Sequence, residues 1–587
     1  TTAMSGWTAG QRRAPLAAGA ALALLLGVGC RLERRAPMVA ADLVLEGPTY
    51  TMDPARPWAD AVAIRDGRIL YVGDVPGAER LVGPGTRVMN LDGRMVLPGF
   101  QDTHAHPLSG GLELGECNLY EARTPAEVEG AIRAYVAAHP HTPWIRGNGW
   151  QLPVFPAANP RKEMLDRLVP DRPAFLYAAD GHSAWVNSRA LALAGITRDT
   201  PDPPDGRIER DPRTGEPSGT LRESAVKLVA RLLPPYGLED RIGAARRALH
   251  QANRFGITAI TDADAGPEYL EAYHALDERG ELTARVTAAL HSEKAPVSEE
   301  TGRLVALRAR YAGGSRLSVN MVKFFEDGVV EARTAALLAP YLDRPGYSGT
   351  LNYEPADLAA RVTALDREGF QIHVHAIGDR AIRVALDALA HARDVNGAHD
   401  ARPIIAHLEV VDPADIPRFR MLGVTACFQA YWAQADDYIT RLTEPALGPA
   451  RSRWLYPLAS FMNQGDIVVG GSDWTVSSLD PLDAIQVAIT RRDVNGAPGP
   501  AWIPQETVDL PRMLAAYTIT AAYATRQERE TGSIEIGKAA DLIVLDRNLF
   551  TIPVTEIHRA KVLLTLLEGS EVWRDSSFVL RGTERGP

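Results

Sequence analysis

The feature that most constrains the fold is the alternation of apolar strand-like runs with amphipathic helical segments in the middle of the chain. The clearest unit is a strand-like run at 371–375, followed by a helical segment at 380–393 whose apolar residues recur at helical spacing. Asp379 is predicted to cap that helix. The next apolar run, 404–408, follows at the distance of one strand–helix–strand unit. Alternation of this kind predicts an α/β fold with a parallel sheet.

Both ends of this region consist of short strand-like runs separated by turn signals. The first such stretch is 42–96, with Asp-Gly pairs at 66–67 and 92–93, and the second is 532–574. Two β-rich ends that flank an α/β middle predict one small sheet domain assembled from both termini. The 587 residues, 45% of them hydrophobic, provide enough apolar material for a large core beside it.

The first thirty residues have the pattern of an export signal. Arg12-Arg13 precede an apolar run at 14–29, which is short for a membrane span. The segment at 26–30 resembles a bacterial lipoprotein cleavage box, although Gly27 stands where that box usually carries Leu. We expect an exported protein whose Cys30 is lipidated and anchors the chain to a membrane. A plain secretory signal and a retained anchor are the alternatives.

Charge and cysteine content narrow the range of partners. The chain has 63 Lys and Arg against 73 Asp and Glu, a net charge of −10, without the clustered basic charge that nucleic-acid binding needs. Three cysteines without a Cys-x-x-Cys pair form neither a disulfide framework nor a structural zinc site, and Cys117 and Cys427 are interpreted as buried thiols. We expect a small-molecule substrate and no nucleic acid, with a homodimer as the default assembly.

Five strand-like segments end in side chains that can bind a metal ion. In a strand, residues i and i+2 share a face, so His104 and His106 can bind one cation together. Neutral imidazoles and carboxylates suit zinc or a similar divalent ion. In chain order the candidate ligands are His104, His106, Lys323, His375, His407 and Asp473.

Several long motifs in a fixed order carry a family resemblance. They include LPGFQDTHAH (97–106), WIRGNGW (144–150), DGHSAWVNSRAL (180–191), VKFFEDG (322–328), HVHAIGDRAI (373–382), IIAHLE (404–409), GGSDW (470–474) and GSIEIGKAADLIVLD (532–546). In these motifs the chain resembles the amidohydrolase superfamily, specifically its amidohydrolase-3 branch, over essentially everything after the signal. The resemblance implies a distorted TIM (β/α)8 barrel plus a small β-sandwich formed by the N- and C-terminal segments.

The resemblance also places the candidate ligands on numbered barrel strands. His104 and His106 belong to strand 1, Lys323 to strand 4, and the remaining three to strands 5, 6 and 8: His375, His407 and Asp473. The 217 residues between His106 and Lys323 far exceed the roughly 90 that three strand–helix units need, which predicts a large insertion. The predicted divisions are a signal peptide at 1–30, sandwich at 31–97, barrel at 98–510 with the insertion at about 144–223, and a C-terminal helix with the second part of the sandwich at 511–587.

The implied chemistry is hydrolysis by metal-activated water, with one or two divalent ions, zinc foremost. Lys323 occupies the position at which the family commonly uses a carboxylated lysine to bridge two metals. Alternatively Lys323 forms an ion pair at the surface or binds the substrate, and Glu326 or Asp327 provides the carboxylate in its place. Asp473 is expected to act as general base and then general acid. His373 faces the same side as His375 and is the alternative ligand at that position.

Four residues are candidates for substrate binding: His182, Trp150, His373 and Trp474. The leading hypothesis for function is hydrolysis of a carbon–nitrogen bond in a non-peptide amide, with removal of a formyl or acyl group from an N-substituted amide as the best-matching class. Hydrolysis of esters, lactones or cyclic amides at the same site stays open. So does a catalytically inactive, lipid-anchored binding protein.

Overall fold

The structure is a computed structural model that describes residues 40–579, apart from 179–182, 204–205, 332 and 495–498. The predicted signal peptide at 1–30, its Cys30 and the candidate residue His182 lie outside the described residues. No described helix is both long enough and apolar enough to cross a membrane. Cys117 and Cys427 are both buried and free.

Strands occur along the whole described chain. In chain order they are β1 (Leu43–Tyr50), β2 (Trp58–Arg65), β3 (Arg68–Gly73), β4 (Arg87–Asn90), β5 (Met95–Pro98), β6 (Phe100–Ala105), β7 (Cys117–Asn118), β8 (Ile145–Trp150), β9 (Ala174–Ala178), β10 (Ser183–Val186), β11 (Gly206–Arg210), β12 (Pro217–Glu223), β13 (Ile257–Ala265), β14 (Arg285–His291), β15 (Leu317–Phe325), β16 (Gln371–Ala376), β17 (Ile404–His407), β18 (Thr425–Phe428), β19 (Ile467–Gly470), β20 (Leu542–Leu545), β21 (Val562–Leu567) and β22 (Ser570–Arg574).

The α-helices separate many of these strands. They are α1 (Val75–Glu79), α2 (Pro107–Leu114), α3 (Pro125–Ala138), α4 (Lys162–Leu168), α5 (Ser188–Leu193), α6 (Lys227–Ala230), α7 (Leu238–Arg254), α8 (Pro267–Glu278), α9 (Val297–Arg310), α10 (Pro355–Arg367), α11 (Asp379–Asn396), α12 (Ile416–Leu422), α13 (Glu444–Leu447), α14 (Pro449–Ser452), α15 (Leu458–Gln464), α16 (Pro481–Thr490), α17 (Leu510–Ala516) and α18 (Ile519–Ala524). Short 3-10 helices occur at Leu152–Val154, Pro156–Ala158, Ser224–Val226, Ala430–Trp432, Pro504–Glu506 and Val554–Arg559, and a π-helix at Ile439–Thr443.

Eight parallel strands form a barrel. β6 pairs with β13, and β13 to β19 then pair in chain order, each parallel to the next. The Thr103 hydroxyl of β6 donates to the carbonyl oxygen of Gly470 at the end of β19 (2.9 Å), which nearly closes the ring. Strands such as β17 and β18 are buried along their whole length, as expected for parallel strands covered by helices. The predicted α/β class with a distorted TIM barrel is confirmed.

The helix after β16 shows how far the local pattern predicts the barrel's outer layer. α11 buries Ile382, Leu386 and Leu389 on one face, as their spacing indicates. Its N-cap is Gly378, so the prediction that Asp379 caps this helix is wrong. The Asp379 carboxylate instead accepts a hydrogen bond from the backbone N–H of Leu338 (2.8 Å), in the long connection after β15. The hydrogen bond to Leu338, which is distant in sequence, therefore replaces the predicted capping contact of Asp379.

Two further sheets accompany the barrel. Between β6 and β13 the chain forms a six-stranded sheet in the order β11-β12-β10-β9-β8-β7, here called the insertion sheet, which begins at Cys117, before the predicted start near 144. The other sheet, here called the terminal sheet, joins β1–β5 with β20–β22. It is completed by antiparallel pairing of β5 with β20, in which Pro98 lies opposite Leu542. Strands from both ends of the described chain thus form one sheet.

Candidate metal centre

The candidate ligands lie at the carboxyl ends of the barrel strands, where TIM-barrel sites are built. His104 is near the end of β6, His375 near the end of β16 and His407 at the end of β17. Asp473 follows β19, and its backbone N–H donates to the carbonyl oxygen of His104 (2.7 Å), which fixes the segment after β19 against β6. Lys323 lies in β15, two residues before its end.

Two of these residues have left-handed backbone conformations. His407 has φ of 81° and Asp473 has φ of 52°, values that side chains with a Cβ rarely adopt. Such conformations cost about 1–3 kcal/mol each and persist where the surrounding structure imposes them. Their occurrence at both positions indicates that the fold holds these side chains at a fixed place, at a cost in stability.

Three of the side chains form a compact group. His104, His407 and Asp473 each offer one ligand atom, and these atoms lie within 4.8 Å of one another. The Asp473 Oδ1 lies 3.4 Å from His104 Nε2 and 3.1 Å from His106 Nε2. The carboxylate therefore lies between both histidines of the His-x-His motif.

Lys323 lies next to this group and carries its only amine. It is fully buried, and its Nζ lies 3.2 Å from His104 Nε2. Burial lowers the pKa of Lys323 to about 8, although the negative charge of Asp473 opposes the shift. A substantial fraction of this amine is therefore neutral near physiological pH.

His375 lies next to His407. Their ring centroids are 4.4 Å apart, and His375 Nε2 is 3.3 Å from the Gly328 carbonyl oxygen and 3.7 Å from Asp327 Oδ1. Burial lowers the pKa of His375 to about 4, with the positive charge of Lys323 acting in the same direction. The ring is therefore neutral at neutral pH, the form in which imidazole binds metals.

His373, the alternative ligand, has a different set of contacts. Its Nε2 lies 2.8 Å from His104 Nδ1, and its Nδ1 lies 3.2 Å from the sulfur of Met321. Burial lowers the pKa of both His373 and His104 well below the ordinary value, so this hydrogen bond joins two neutral rings. His373 thus contacts the ring of His104 at the nitrogen opposite Asp473.

The donor set fits a divalent cation. Asp473 Oδ1 and His407 Nδ1 are buried without a hydrogen-bond partner among the residues described. Burial opposes ionisation of Asp473, but His106 and His407 beside it hold the pKa of this carboxyl below its usual value. A buried, ionised carboxylate that faces neutral imidazole nitrogens costs free energy unless a cation compensates it. These residues therefore match the chemistry of a divalent metal site.

The carboxylate alternatives to Lys323 are engaged or neutral. Asp327 accepts hydrogen bonds from the backbone N–H groups of Ala336, Ile377 and Gly378. Burial raises the pKa of Glu326 to about 9, and both of its side-chain oxygens lack hydrogen-bond partners within the described part of the chain. Asp327 is therefore occupied by backbone donors, and the carboxyl of Glu326 is protonated at neutral pH.

The two candidate tryptophans lie in different surroundings. Trp474 is half-buried beside the metal centre, and its carbonyl oxygen accepts a hydrogen bond from the backbone N–H of His106 (2.7 Å). Trp150 is fully buried in the core of the insertion sheet, where its indole N–H donates to the carbonyl oxygen of Leu176 (2.9 Å). The structure therefore brings Trp474, but not Trp150, to the centre.

Sequence reasoning missed residues that support the centre. Asp102 accepts hydrogen bonds from the backbone N–H groups of His104 (3.1 Å) and Ser472 (3.0 Å), and so joins β6 to the segment that carries Asp473. Its place two residues before His104, on the same strand face, was the available signal. The ring of Trp432 stacks on that of His407, with their centroids 5.7 Å apart.

Comparison with known proteins gives consistent results over most of the chain. An amidohydrolase family model matches residues 87–573. The protein LONG AFTER FAR-RED 3 of Arabidopsis thaliana is 31% identical over 92% of this chain and 92% of its own length. An N-substituted formamide deformylase of Arthrobacter pascens is 27% identical over 90% of this chain and 97% of its own. A crystal structure of an uncharacterized metal-dependent hydrolase from Pyrococcus furiosus superposes with a TM-score of 0.70 at 26% identity, covering 86% of this chain and 99% of that one.

Proposed function

This chain belongs to the amidohydrolase family, and from that premise we propose that it hydrolyses the carbon–nitrogen bond of a non-peptide amide, such as an N-substituted formamide or an N-acyl amine. The observation that carries the proposal is the compact group of His104, His407 and Asp473 at the carboxyl end of the barrel. The family membership and the metal-dependent hydrolase neighbour support a hydrolase. The bond and the substrate class are the proposed part.

We propose that the centre holds one or two divalent ions, with zinc as the first choice. The residues that would hold them are His104, His106, Lys323, His375, His407 and Asp473. A divalent ion there would lower the pKa of a bound water to about 7 and polarise the carbonyl of the amide. Neutral imidazoles and an ionised carboxylate are the protonation states that such an ion requires.

Asp473 is proposed as the proton carrier. Its carboxylate is ionised, lies next to His106 and is held in place by the backbone contact with His104. It would take one proton from the attacking water as the carbon–oxygen bond forms. It would then give that proton to the departing nitrogen as the carbon–nitrogen bond breaks. The products balance as a carboxylic acid and an amine.

Lys323 is proposed to be carboxylated. Its buried amine, with a pKa of about 8, would add carbon dioxide with loss of one proton and become an anionic carbamate with two oxygen ligands. The contacts of Asp327 and the raised pKa of Glu326 support Lys323 over either acid. A neutral or protonated lysine could not provide those oxygens.

The formamide class is supported by the Arthrobacter pascens relative, whose similarity extends over 90% of this chain. The centre itself does not select the leaving group, so ester, lactone and cyclic-amide hydrolysis are the outcomes that an experiment has to separate.

The test is a hydrolysis assay on the full chain loaded with zinc, manganese or cobalt. The panel contains N-alkyl and N-aryl formamides, N-acetyl amines, N-acyl amino acids and aryl esters. Asp473→Asn is the inactive comparison, and Asp437→Asn, at a side chain that is 74% exposed, is the matched control. We expect amide turnover in the wild type and the control but not in Asp473→Asn.

Two results would contradict the proposal. Turnover of esters alone would move the reaction away from the carbon–nitrogen bond. A protein with bound metal that hydrolyses no compound in the panel would remove the support for a simple amide and favour the binding-protein alternative.

A further inference from the structure

A recess lies between α2 and the insertion sheet. It has a volume of about 220 Å³ and is here called the α2 recess. Among the side chains that line it are Glu113, Glu116, Arg146 and Tyr236.

Helix α2 links the metal centre to the α2 recess. α2 begins directly after His106, and Glu113 lies near its other end, about 10 Å along the axis. On the other side, the hydroxyl of Thr475, two residues after Asp473, lies 3.4 Å from Glu113 Oε1. Glu113 therefore contacts the segment that carries Asp473 and also lines the α2 recess.

Two of the three charged groups in the recess already have close partners. The Glu116 carboxylate accepts hydrogen bonds from the Tyr236 hydroxyl and the Asn148 side-chain amide. The Arg146 guanidinium lies over the ring of Tyr236, 4.4 Å from its centroid, and donates to the Pro234 carbonyl oxygen. Both Glu116 and Arg146 are therefore bound to other residues in or near the wall of the recess.

Glu113 has fewer partners than Glu116 and Arg146. Within the described part of the chain its one hydrogen bond is the long contact with Thr475. Burial raises the pKa of Glu113, and the negative charge of Glu116 adds to that shift, although His106 opposes it. A partly buried carboxylate whose one hydrogen bond is long is stabilised by a cation.

We propose that the α2 recess is the subsite for a positively charged group of the substrate, an ammonium at the end of the chain on one side of the scissile amide, and that Glu113 binds it. The inference rests on the proposed amide hydrolysis and adds a substrate class to it. A carboxylate bound by Arg146 is the opposite outcome, which the experiment has to distinguish.

The experiment compares three substrate series of equal chain length that differ only in the terminal group. The first is monoformylated putrescine, cadaverine and hexamethylenediamine, which end in ammonium. The second is N-formyl alkylamines, which end in methyl, and the third is N-formyl ω-amino acids, which end in carboxylate. For the wild type we expect kcat/KM about tenfold higher, at the best chain length, for the ammonium than for the methyl compound, mainly through KM.

The variant Glu113→Gln should lose that preference, so that its kcat/KM for the ammonium compound falls to the value for the methyl compound. Glu278→Gln, a matched change at a side chain that is 68% exposed, should leave all three series unchanged. Glu113→Lys should turn the preference towards the carboxylate series. Activity on the methyl compound shows in each case that the variant is folded.

Calorimetric titration of the same compounds separates the subsite from the chemistry. Tighter binding of the ammonium series that disappears in Glu113→Gln supports the α2 recess, even if no compound is hydrolysed and the proposed function fails. Equal binding of ammonium and methyl compounds to the wild type, an unchanged preference in Glu113→Gln, or a preference of the wild type for carboxylate overturns the inference.

Discussion

Substitution of Gly110 by alanine tests whether α2 sets the position of the segment that carries Asp473. A Cβ at Gly110 would lie 2.4 Å from Cζ3 of Trp474 and 2.7 Å from Cγ2 of Thr475. Carbon atoms in contact are normally about 3.5–4.0 Å apart, so either α2 or Trp474 has to move by about 1 Å. Trp474 directly follows Asp473 and accepts the backbone hydrogen bond of His106, so the displacement reaches the centre.

The expected magnitude follows from that displacement. Overpacking of a tight contact costs about 1–3 kcal/mol of the free energy of unfolding. A misplacement of about 1 Å at a reacting group lowers the rate by about a hundredfold. We therefore expect Gly110→Ala to melt at a lower temperature and to lose about a hundredfold in kcat, with KM changed much less and the metal retained.

The assay measures kcat and KM on the best amide of the panel, the melting temperature, and the metal content. The control is Gly130→Ala in α3, where a Cβ meets no atom within 4 Å. That variant should retain wild-type kcat and gain up to about 1 kcal/mol, because alanine is the better helix former. The reasoning is refuted if Gly110→Ala behaves like Gly130→Ala, and a loss of stability without a loss of kcat would show that this contact does not position Asp473.

Further predictions concern the ligands themselves. Asp473→Asn should keep its metal but lower kcat by about 10²- to 10⁴-fold, measured by steady-state kinetics beside metal analysis, and near-wild-type turnover would contradict its role as proton carrier. His104→Ala and His106→Ala should each contain less metal, and full occupancy in both would contradict the strand 1 assignment. Lys323→Ala should lose activity that short carboxylic acids partly restore, and failure of that rescue with metal intact would favour Glu326 or no bridge. Reconstitution of metal-free protein with zinc at a fixed concentration of dissolved carbon dioxide should speed up as the pH rises through about 8, because only the neutral Lys323 amine, which predominates above its pKa, adds carbon dioxide. A rate independent of pH across that range would argue against carboxylation.

The sequence predicts the barrel and the order of its strands because burial on both faces leaves a direct pattern in the chain. Apolar runs such as 404–408 recur at the spacing of strand–helix units, and the structure has β17 at that position. The His-x-His motif predicts two imidazoles close together, and both His104 and His106 contact Asp473, although His106 lies one residue beyond the end of β6. In these places short-range periodicity determines the geometry.

Where contacts between residues distant in sequence determine the position of a side chain, the sequence pattern does not predict that position. His373 and His375 have the same alternation, and only the packing of β16 against its neighbours places one at His104 and the other at His407. The aromatic side chain of Trp150 would suit a pocket wall, but it lies in the core of the insertion sheet. There its indole N–H donates to the carbonyl oxygen of Leu176. The Asp379 side chain does not cap its helix, because it accepts a hydrogen bond from the backbone N–H of Leu338, 41 residues earlier in the chain.

The pairing of β5 with β20 has a consequence for the way the protein is made. Leu542 is opposite Pro98 but is synthesised 444 residues later, which at about 5–20 residues per second is on the order of a minute. During that time β5 lacks one of its neighbours, and β5 leads almost directly into β6, the strand that carries His104. The first metal-binding strand is therefore attached to an incomplete sheet edge until the end of the chain has emerged, and a nascent chain that stops short of β20 leaves that edge open to other chains.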